Sequence, residues 1–201
     1  MGEIRRATPG DAEPLAGVLA RAFADDPGFS HLLPDPEQRA ERLRVFFETE
    51  LRDIALPRGL TWTTEGLAGA AVWAPPDAWR VPVGTTLGEV RPMRRVFGGR
   101  LPLALWSRLR MDSRHPKRPP HWYLAVMGVA PEWQGRGIGS LLMRPGLDEI
   151  DAAGLSAYLE ASTAHSRALY ERHGFSVTGE MRLPLGGPPI WLMWRDPNAT
   201  R

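Results

Sequence analysis

The sequence predicts a mixed α/β fold. Short apolar stretches of strand length alternate with stretches in which apolar residues recur every three or four positions, the spacing of a helix face. Closely spaced strand pairs towards the two ends of this pattern indicate hairpins, and a strand–helix–strand succession in the middle indicates a β-α-β crossover. We therefore expect a sheet with helices packed against it.

The composition favours one domain and excludes several classes of function. A chain of 201 residues with 43% hydrophobic content can bury one core of ordinary size, so we expect a single domain over residues 1–201. The formal net charge of +2 gives no support for nucleic-acid binding. The chain has no cysteine, which excludes disulfides, thiolate zinc sites and cysteine nucleophiles.

The N-terminal residues and the hydropathy pattern suggest a cytoplasmic protein. The polar stretch Met1–Arg6 lacks the apolar core of a signal peptide. No stretch approaches the roughly 20 apolar residues that a membrane-spanning helix needs. We therefore expect no membrane partner.

The first predicted elements are a strand and two helices. Glu3–Ala7 has the pattern of a short strand, and Thr8–Asp11 combines an N-cap threonine with a proline at the first helical position. Asp25–Gly28 ends this helix, and a second helix is predicted to begin after Pro36. The predicted buried residues are Leu15, Val18, Leu19, Ala22 and Phe23 in the first helix and Leu43, Phe46, Phe47, Leu51 and Ile54 in the second.

The middle of the chain contains a predicted hairpin followed by the least regular region. Strands at Leu60–Thr64 and Leu67–Trp73 flank a Glu-Gly turn and form the hairpin. Beyond it, helices are predicted at Thr86–Val96 and Leu103–Met111, separated by two glycines. Residues His115–Pro120 form a proline-rich linker to the second half of the chain.

The second half has a clearer succession of elements. Strand Trp122–Val129 leads through a glycine-rich loop into a helix, in which Pro145 is expected to cause a kink or to interrupt the hydrogen bonding. The apolar residues of this helix that should face inward are Ile138, Leu141, Leu142 and Ile150. The remaining predicted elements are a strand at Ala157–Ala161, a helix at His165–His173, and strands at Phe175–Met181 and Pro189–Trp194.

The glycine-rich loop between strand and helix predicts a pyrophosphate-binding site. Its glycines allow a tight turn and a close approach of the backbone to phosphate oxygens. The unpaired N–H groups of the first helical turn and the positive end of the helix dipole would face the anion. The predicted contacts are Gln134, Gly135, Arg136, Gly137, Ile138, Gly139 and Ser140, with the charge of the arginine at the rim.

A second constellation follows about thirty residues later. Glu160 lies in a predicted central strand, where an acidic residue is costly to bury unless it is paired or functional. The segment Leu169–Phe175 then reads Leu-Tyr-Glu-Arg-His-Gly-Phe. The run Gly128–Gly139 resembles the acetyl-CoA-binding motif of the GNAT superfamily of N-acetyltransferases, and Leu169–Phe175 resembles the C-terminal signature of that superfamily. The resemblance is close over residues 121–195.

This resemblance implies a fold, a reaction and its partners. The implied fold is a mixed, mostly antiparallel sheet with a central, splayed pair of parallel strands and helices on both faces. Residues 1–115 would form the acceptor-side half and residues 121–195 the acetyl-CoA-binding half. The implied reaction is direct transfer of an acetyl group from acetyl-CoA, a co-substrate, to the amine of a small molecule, with no metal and no covalent enzyme intermediate.

The resemblance also implies roles for particular residues. The backbone of Met127 and Val129 would pair with the pantetheine amides, and N–H groups near Met127 would polarise the thioester carbonyl. Glu160 would take a proton from the acceptor amine as general base. Tyr170 would contact the cofactor and supply a proton to the leaving thiolate.

Several further segments are similar to the puromycin N-acetyltransferases and their actinobacterial relatives. They are Arg6–Asp11, Ala22–Pro27, Ala71–Trp73 and the unusual Pro145-Gly146 pair. This similarity implies an acceptor such as an aminonucleoside or another amine antibiotic, and hence a role in antibiotic resistance. The similarity is loose over residues 77–115, from which acceptor pockets in the superfamily are partly built.

Other interpretations of these residues remain open. Tyr170 can be a core tyrosine, and Glu160 can be a structural or acceptor-orienting glutamate. Asp25 and Asp26 can line the acceptor site, but capping and solvation explain them equally well. The histidines His31, His115 and His121 are too scattered to indicate a metal site, and surface or capping roles suit His165 and His173.

Two other classes of function also fit the sequence. One is an acyl-CoA-binding sensor that keeps the fold without catalysing transfer, and the other is an enzyme that acetylates proteins or peptides. The sequence is compatible with a monomer or a homodimer.

Overall fold

A seven-stranded sheet forms the centre of the computed structural model, which describes residues 3–58, 60–79, 91–197 and 199. In chain order the strands are β1 (Ile4–Arg6), β2 (Thr61–Thr64), β3 (Gly69–Ala74), β4 (His121–Val129), β5 (Ser156–Ala161), β6 (Ser176–Arg182) and β7 (Pro189–Arg195). Their order across the sheet is β1-β2-β3-β4-β5-β7-β6. Neighbouring strands are antiparallel except β4 and β5, which are parallel. The mostly antiparallel sheet predicted from the sequence is confirmed.

The parallel strands β4 and β5 pair along only part of their length. Their register runs from His121 opposite Ser156 to Leu124 opposite Leu159 and ends there. The rest of β4 continues to pair with β3, while the last residues of β5 pair with β7. A gap, which we call the cleft, therefore opens between residues 125–129 of β4 and the end of β5.

A β-bulge in β4 marks the point at which the cleft begins. The register between β3 and β4 shifts so that Ala125 has no partner on β3. Leu124 before the bulge and Met127 after it pack on the same face of the sheet. Tyr123 before the bulge and Val126 after it pack on the opposite face. The extra residue thus reverses the alternation of side chains, as bulges do.

The helices in the described part of the chain are α1 (Ala12–Ala22), α2 (Pro27–Leu32), α3 (Pro36–Thr49), α4 (residues 91–97), α5 (Leu101–Arg114), α6 (Ile138–Ala152) and α7 (Ala164–Glu171). Helix α2 was not predicted, because Asp25–Gly28 was interpreted only as the end of α1. The same residues also contain a start signal: the Asp26 carboxylate accepts a hydrogen bond from the N–H of Phe29 at 3.0 Å, with a proline at the next position.

The region after α3 contains the predicted helical segments, with different bounds. A π-helix at Glu50–Ala55 continues α3 and carries its buried face onward. Of the predicted helix Thr86–Val96, residues 86–90 lie outside the described residues, and residues 91–97 are helical. The two glycines lie between the helices, as predicted, in a 3₁₀ turn at Gly98–Arg100 that leads directly into α5.

The helices cover both faces of the sheet. Alternate residues of β3 face α1 and α3 on one side (Ala70, Val72) and α6 on the other (Ala71, Trp73). Helix α6 continues through Pro145, and the missing N–H of the proline interrupts one backbone hydrogen bond of the helix, as predicted. A Cβ atom on Gly146 would lie 2.3 Å from Trp73 Nε1, so glycine is required where the indole packs against the helix.

Among the described residues, no helix combines the length and apolar character needed to cross a membrane.

Candidate active site

Glu160 lies at the mouth of the cleft. It is the residue after the last β5 residue that pairs with β4, and it is only partly buried. Because side chains alternate along a strand, Glu160 shares a face of β5 with Tyr158. Tyr158 is opposite Tyr123 in the parallel register, and the two phenol rings are stacked with centroids 6.1 Å apart. A carboxylate and two phenols thus converge at the start of the cleft.

The surroundings of Glu160 favour neither a fully charged nor a fully neutral carboxyl group. Burial raises its pKa to about 7, and the carboxylate of Asp112 acts in the same direction. The phenols of Tyr123 and Tyr158 and the guanidinium of Arg108 oppose this shift by stabilising the negative charge. Tyr158 Oη nevertheless makes no well-formed hydrogen bond. A carboxyl group with a pKa near neutrality can accept and release protons under physiological conditions.

Helix α5 contributes charges to this site that the sequence analysis did not identify. Arg108 Nε and Asp112 Oδ1 form an ion pair at 2.9 Å, one helical turn apart. Both residues act electrostatically on Glu160, although they are distant from it in the chain. The i,i+4 spacing of opposite charges was a visible signal of a helical pair, but the sequence gave no indication that the pair faces Glu160.

Tyr170 is positioned by the short helix α7. Thr163 caps this helix by accepting a hydrogen bond from the N–H of Ser166 at 3.0 Å. Tyr170 lies in the last turn of the helix, is 6% exposed and packs edge-on against Phe175, with ring centroids 6.1 Å apart. Burial, together with the negative charge of Asp26, raises its pKa well above the usual value. The phenol therefore keeps its proton at neutral pH.

Asp26 and Ser162 form a second polar contact beside Tyr170. The Ser162 hydroxyl donates a hydrogen bond to the Asp26 carboxylate, which also caps α2 through the N–H of Phe29. Asp26 therefore has the capping role that the sequence left open, and its charge also acts on Tyr170. The sequence analysis did not consider Ser162, which lies two residues after Glu160, just beyond the end of β5.

The glycine-rich loop has the backbone conformation that its sequence predicts. Gly135 and Gly137 have φ angles of +72° and +78°, in the left-handed region that favours glycine. Residues 131–137 are exposed, and no side chain caps the N-terminus of α6. The first N–H groups of a long helix are therefore open to solvent, an arrangement that suits an anion.

The other predicted loop contacts have differing surroundings. A Cβ atom on Gly139 would lie 3.0 Å from Met127 Cε, so glycine lets the start of α6 approach β4 closely. Gln134 Nε2 donates to the carbonyl of Val129 at 2.9 Å, and the Arg136 guanidinium lies 4.9 Å from the centre of the Trp133 ring.

Some predicted contacts can offer only backbone groups, and one has a partner that was not expected. The side chains of Met127 and Val129 pack in the core beside that of Ile138 in α6, so these residues can offer only backbone groups, and the Val129 carbonyl already accepts from Gln134. Ser140 Oγ is 2.9 Å from His173 Nε2. His173 thus contacts the loop rather than lying on the surface.

The histidines are less scattered than the sequence suggested. His115 Nε2 and His121 Nε2 are 3.0 Å apart in a buried pair, whereas His31 lies elsewhere, with its Nε2 2.9 Å from the carbonyl of Pro184. The predicted linker His115–Pro120 therefore carries a buried contact to β4. Within residues 3–58, 60–79, 91–197 and 199, no group of three or more histidine, aspartate or glutamate side chains could hold a metal ion.

Comparisons with known proteins agree with this arrangement. A model of the acetyltransferase (GNAT) family matches residues 95–175. An uncharacterized N-acetyltransferase of Schizosaccharomyces pombe is 28% identical to this chain over 97% of the chain and 83% of that protein. The family match covers the cleft, the glycine-rich loop and Tyr170.

Solved structures share the fold over nearly the whole chain. A Corynebacterium glutamicum structure, described as histone acetyltransferase HPA2 and related acetyltransferase, has a TM-score of 0.74 and 26% identity and covers 98% of this chain and 97% of its own. The PaiA N-acetyltransferase of Thermoplasma acidophilum, solved in complex with coenzyme A, has a TM-score of 0.60 and 12% identity, with 98% and 99% covered. The chain thus has the fold of the GNAT acetyltransferases over nearly its whole length and matches their family model over residues 95–175, which together indicate an acyltransferase of the N-acetyltransferase type.

Proposed function

We propose that the protein transfers an acetyl group directly from acetyl-CoA to the neutral amine of a small molecule. The observation that carries this proposal is the position of Glu160, a partly buried carboxylate with a pKa of about 7 at the point where β4 and β5 separate. A group of this kind can accept a proton at neutral pH, and the adjoining cleft can accept an extended ligand between the two strands.

The chain offers a binding surface that fits acetyl-CoA. The loop Gln134–Ser140 is exposed over residues 134–137, and no side chain caps the N–H groups at the N-terminus of α6, which suits a pyrophosphate. On the cleft side of β4, the backbone of Met127 and Val129 has no β5 partner, which leaves this edge, apart from the Val129 carbonyl bonded to Gln134, available to the pantetheine amides. When bound, acetyl-CoA would supply a thioester carbonyl that is open to attack by an amine.

Glu160 acts as the general base in this proposal. An amine attacks only in its neutral form, so the proton lost as the N–C bond forms must be accepted by a nearby group. Glu160 is ionised above pH about 7, and its partial burial makes the protonated form accessible. The phenols of Tyr123 and Tyr158 hold the carboxylate in place. Asp26, the carboxylate whose charge acts on Tyr170, is the alternative base.

Tyr170 acts as the general acid in this proposal. As the C–S bond breaks, the leaving sulfur gains negative charge, and the Tyr170 hydroxyl donates its proton there. The negative charge of Asp26 helps to keep the phenol protonated until that step. The amine thus loses one proton and the sulfur gains one, and the proton held by Glu160 replaces that of Tyr170 through solvent.

The acceptor is proposed to be a small molecule. The acceptor side of Glu160 is lined by Tyr123 and by the Arg108–Asp112 pair of α5. These groups form a compact, partly aromatic wall, which suits a small amine. The resemblance of Arg6–Asp11, Ala22–Pro27 and Pro145-Gly146 to the puromycin N-acetyltransferases favours amine antibiotics or aminonucleosides.

Release of coenzyme A from acetyl-CoA across a panel of amines tests this proposal. A thiol-reactive dye can follow the reaction without background, because the chain has no cysteine. The panel contains puromycin, other amine antibiotics, polyamines and arylalkylamines, together with peptides that present free N-termini or lysines. We expect release with at least one small amine and its loss in Glu160→Gln.

The other outcomes distinguish the alternatives. Release with peptides alone would contradict the proposed acceptor class and favour a protein-acetylating enzyme. Calorimetric binding of acetyl-CoA without turnover on any amine would contradict the proposed reaction and favour an acyl-CoA sensor. The second result would leave the fold and family unchanged.

A further inference from the structure

A buried pair of histidines lies directly behind the tyrosines of the active site. His115 and His121 are 5% and 3% exposed, and their Nε2 atoms are 3.0 Å apart. His121 Nδ1 lies 2.8 Å from the carbonyl oxygen of Pro119. The proposed reaction assigns no role to either imidazole.

The contacts of the pair fix where its protons lie. A carbonyl oxygen can only accept, so His121 Nδ1 carries a proton and donates it to Pro119. In a neutral imidazole the other nitrogen is then bare, so His121 Nε2 accepts from His115 Nε2–H. If both rings were positively charged, two N–H groups would face each other across 3.0 Å. The observed contact is therefore compatible with at most one positive charge on the pair.

The pair packs against both tyrosines of the Glu160 site. The ring of His115 meets those of Tyr123 and Tyr158 edge to face, with centroids 4.9 Å and 4.7 Å apart. Its own face is stacked on the indole of Trp79 at 3.9 Å. His115 is thus held on one side by an indole and on the other supports the phenols that stabilise the Glu160 carboxylate.

We propose that the His115–His121 pair positions the phenols of Tyr123 and Tyr158 against Glu160, and that it does so only while the pair carries at most one positive charge. This inference rests on the proposed role of Glu160 as base. It makes the two histidines positioning residues, since neither contacts the reacting atoms.

The groups around the pair come from several elements. Titratable phenols face it from β4 (Tyr123) and β5 (Tyr158), and an uncharged indole faces it from β7 (Trp194), with ring centroids 5.0 Å from His121. Behind the phenols lie the charges that act on them, Glu160 and the Arg108–Asp112 pair of α5. A second positive charge on the imidazoles would therefore disturb the two tyrosines that pack beside Glu160.

Nuclear magnetic resonance of the imidazole nitrogens tests the geometry without any turnover. The chain has five histidines, so long-range proton–nitrogen spectra of the parent can be assigned with His115→Gln, His121→Gln and His165→Gln. We expect His121 to be protonated on Nδ1 and bare on Nε2 at pH 7.5. A proton on His121 Nε2, or none on its Nδ1, would overturn the proposal, whatever the acceptor.

Kinetics with an established acceptor test the link to catalysis. His115→Gln keeps an N–H donor in place of Nε2 but cannot take up a proton, whereas His115→Leu removes the donor and keeps the bulk. At pH 8 we expect the glutamine variant to stay within about threefold of the parent and the leucine variant to lose about tenfold or more in kcat, because misplaced catalytic groups lose rate steeply.

The dependence of kcat on pH separates a positioning role of His115 from a purely structural one. As the pH falls, kcat should decrease more steeply in the parent than in His115→Gln, because only the parent loses activity through protonation of both Glu160 and the histidine pair. Equal acid limbs in the parent and His115→Gln would overturn the proposal, even if His115→Leu failed to fold. The His165→Gln variant serves as the matched control, and the dissociation constant for acetyl-CoA should remain unchanged in all variants.

Discussion

The carboxylates of Asp11 and Glu160 are both at least partly buried, but their surroundings shift the two pKa values in opposite directions. Asp11 receives two hydrogen bonds from the Arg5 guanidinium at 2.8 and 2.9 Å and one from the N–H of Thr8 at 2.7 Å. These contacts hold its pKa far below the usual range. Glu160 has only phenols and a more distant guanidinium beside it, and burial raises its pKa to about 7.

The difference separates a carboxylate that serves the fold from one to which we assign, by proposal, the chemistry. The Asp11 corner satisfies its carboxylate fully, joins β1 to the start of α1 and leaves no proton to exchange. In the cleft, the favourable contacts of the Glu160 carboxylate only partly offset its burial. This lowers the stability of the protein when the group is charged, and it suits the proposed role of a base at neutral pH. The contacts of a carboxylate thus distinguish a pKa that is lowered by an ion pair from a pKa that is raised by burial.

The largest expected effect is on turnover when Glu160 is changed. Glu160→Gln removes the base while keeping the shape, and we expect kcat to fall by about 10²–10⁴-fold. Asp11→Asn, the matched control, should keep kcat near that of the parent at pH 8. Steady-state kinetics with saturating acetyl-CoA measures both. Equal losses in the two variants would remove the contrast between the carboxylates.

The second-largest effect on kcat is expected at Tyr170, and it tests whether protons are transferred in the cleft. Tyr170→Phe removes the acid but retains the packing against Phe175, so we expect kcat to fall by about 10–10²-fold. Calorimetry should show little change in acetyl-CoA binding. An unchanged kcat would exclude Tyr170 as the acid.

The two ends of α6 provide a similar contrast between site and scaffold. Gly137 and Gly154 have φ angles of +78° and +62°, and added Cβ atoms would meet no other group within 4 Å at either position. Each change to alanine should cost about 1–2 kcal/mol of stability through backbone strain. Only Gly137→Ala should also weaken acetyl-CoA binding, by roughly five- to tenfold, as strain and loss of backbone approach combine. Equal affinities in the two variants would show that the loop does not bind the cofactor.

The smallest effects are on stability, and they should have opposite signs. Between its usual value of 4.5 and about 7, folded Glu160 binds more protons than unfolded Glu160, so its ionisation destabilises the protein as the pH rises through this window. Glu160→Gln should therefore raise the free energy of unfolding at pH 8 by about 1–3 kcal/mol and change it little at pH 4.5.

For Asp11 the direction is reversed. Its lowered pKa contributes stability above the usual aspartate range, and this stability is lost as the pH falls. Asp11→Asn should lower the free energy of unfolding at pH 8 by about 1–3 kcal/mol, because the buried part of the ion pair with Arg5 is broken. Chemical denaturation of both variants at two pH values measures these differences. A loss of stability in Glu160→Gln at pH 8 would contradict the account of its surroundings.

The local patterns of this sequence predicted the elements and part of the candidate site. Alternation and turn residues indicated every strand of the sheet, and the strand–glycine–helix order located the loop Gln134–Ser140. An acidic residue in an apolar strand drew attention to Glu160. Each of these signals is contained within a few neighbouring residues, which is why it can be recognised without a structure.

The features that were missed depend on contacts between distant segments. The bulge at Ala125 reverses the faces of β4 although nothing in its own sequence marks it. The contact between Asp26 and Ser162, the pairing of His115 with His121 through a linker that seemed only rigid, and the approach of α5 to Glu160 all arise from tertiary packing. A start signal and a stop signal also overlap at Asp26-Pro27, so the short helix α2 was hidden.

The most direct test of the central claim is the pH dependence of kcat for the parent and for Glu160→Gln, measured with the same acceptor. For the parent, the account predicts an acid limb with a midpoint near pH 7, because Glu160 must be ionised to act as base. In Glu160→Gln the rate should be low and that limb absent. The same limb and a similar rate in the variant would contradict the assignment of Glu160 and direct attention to Asp26.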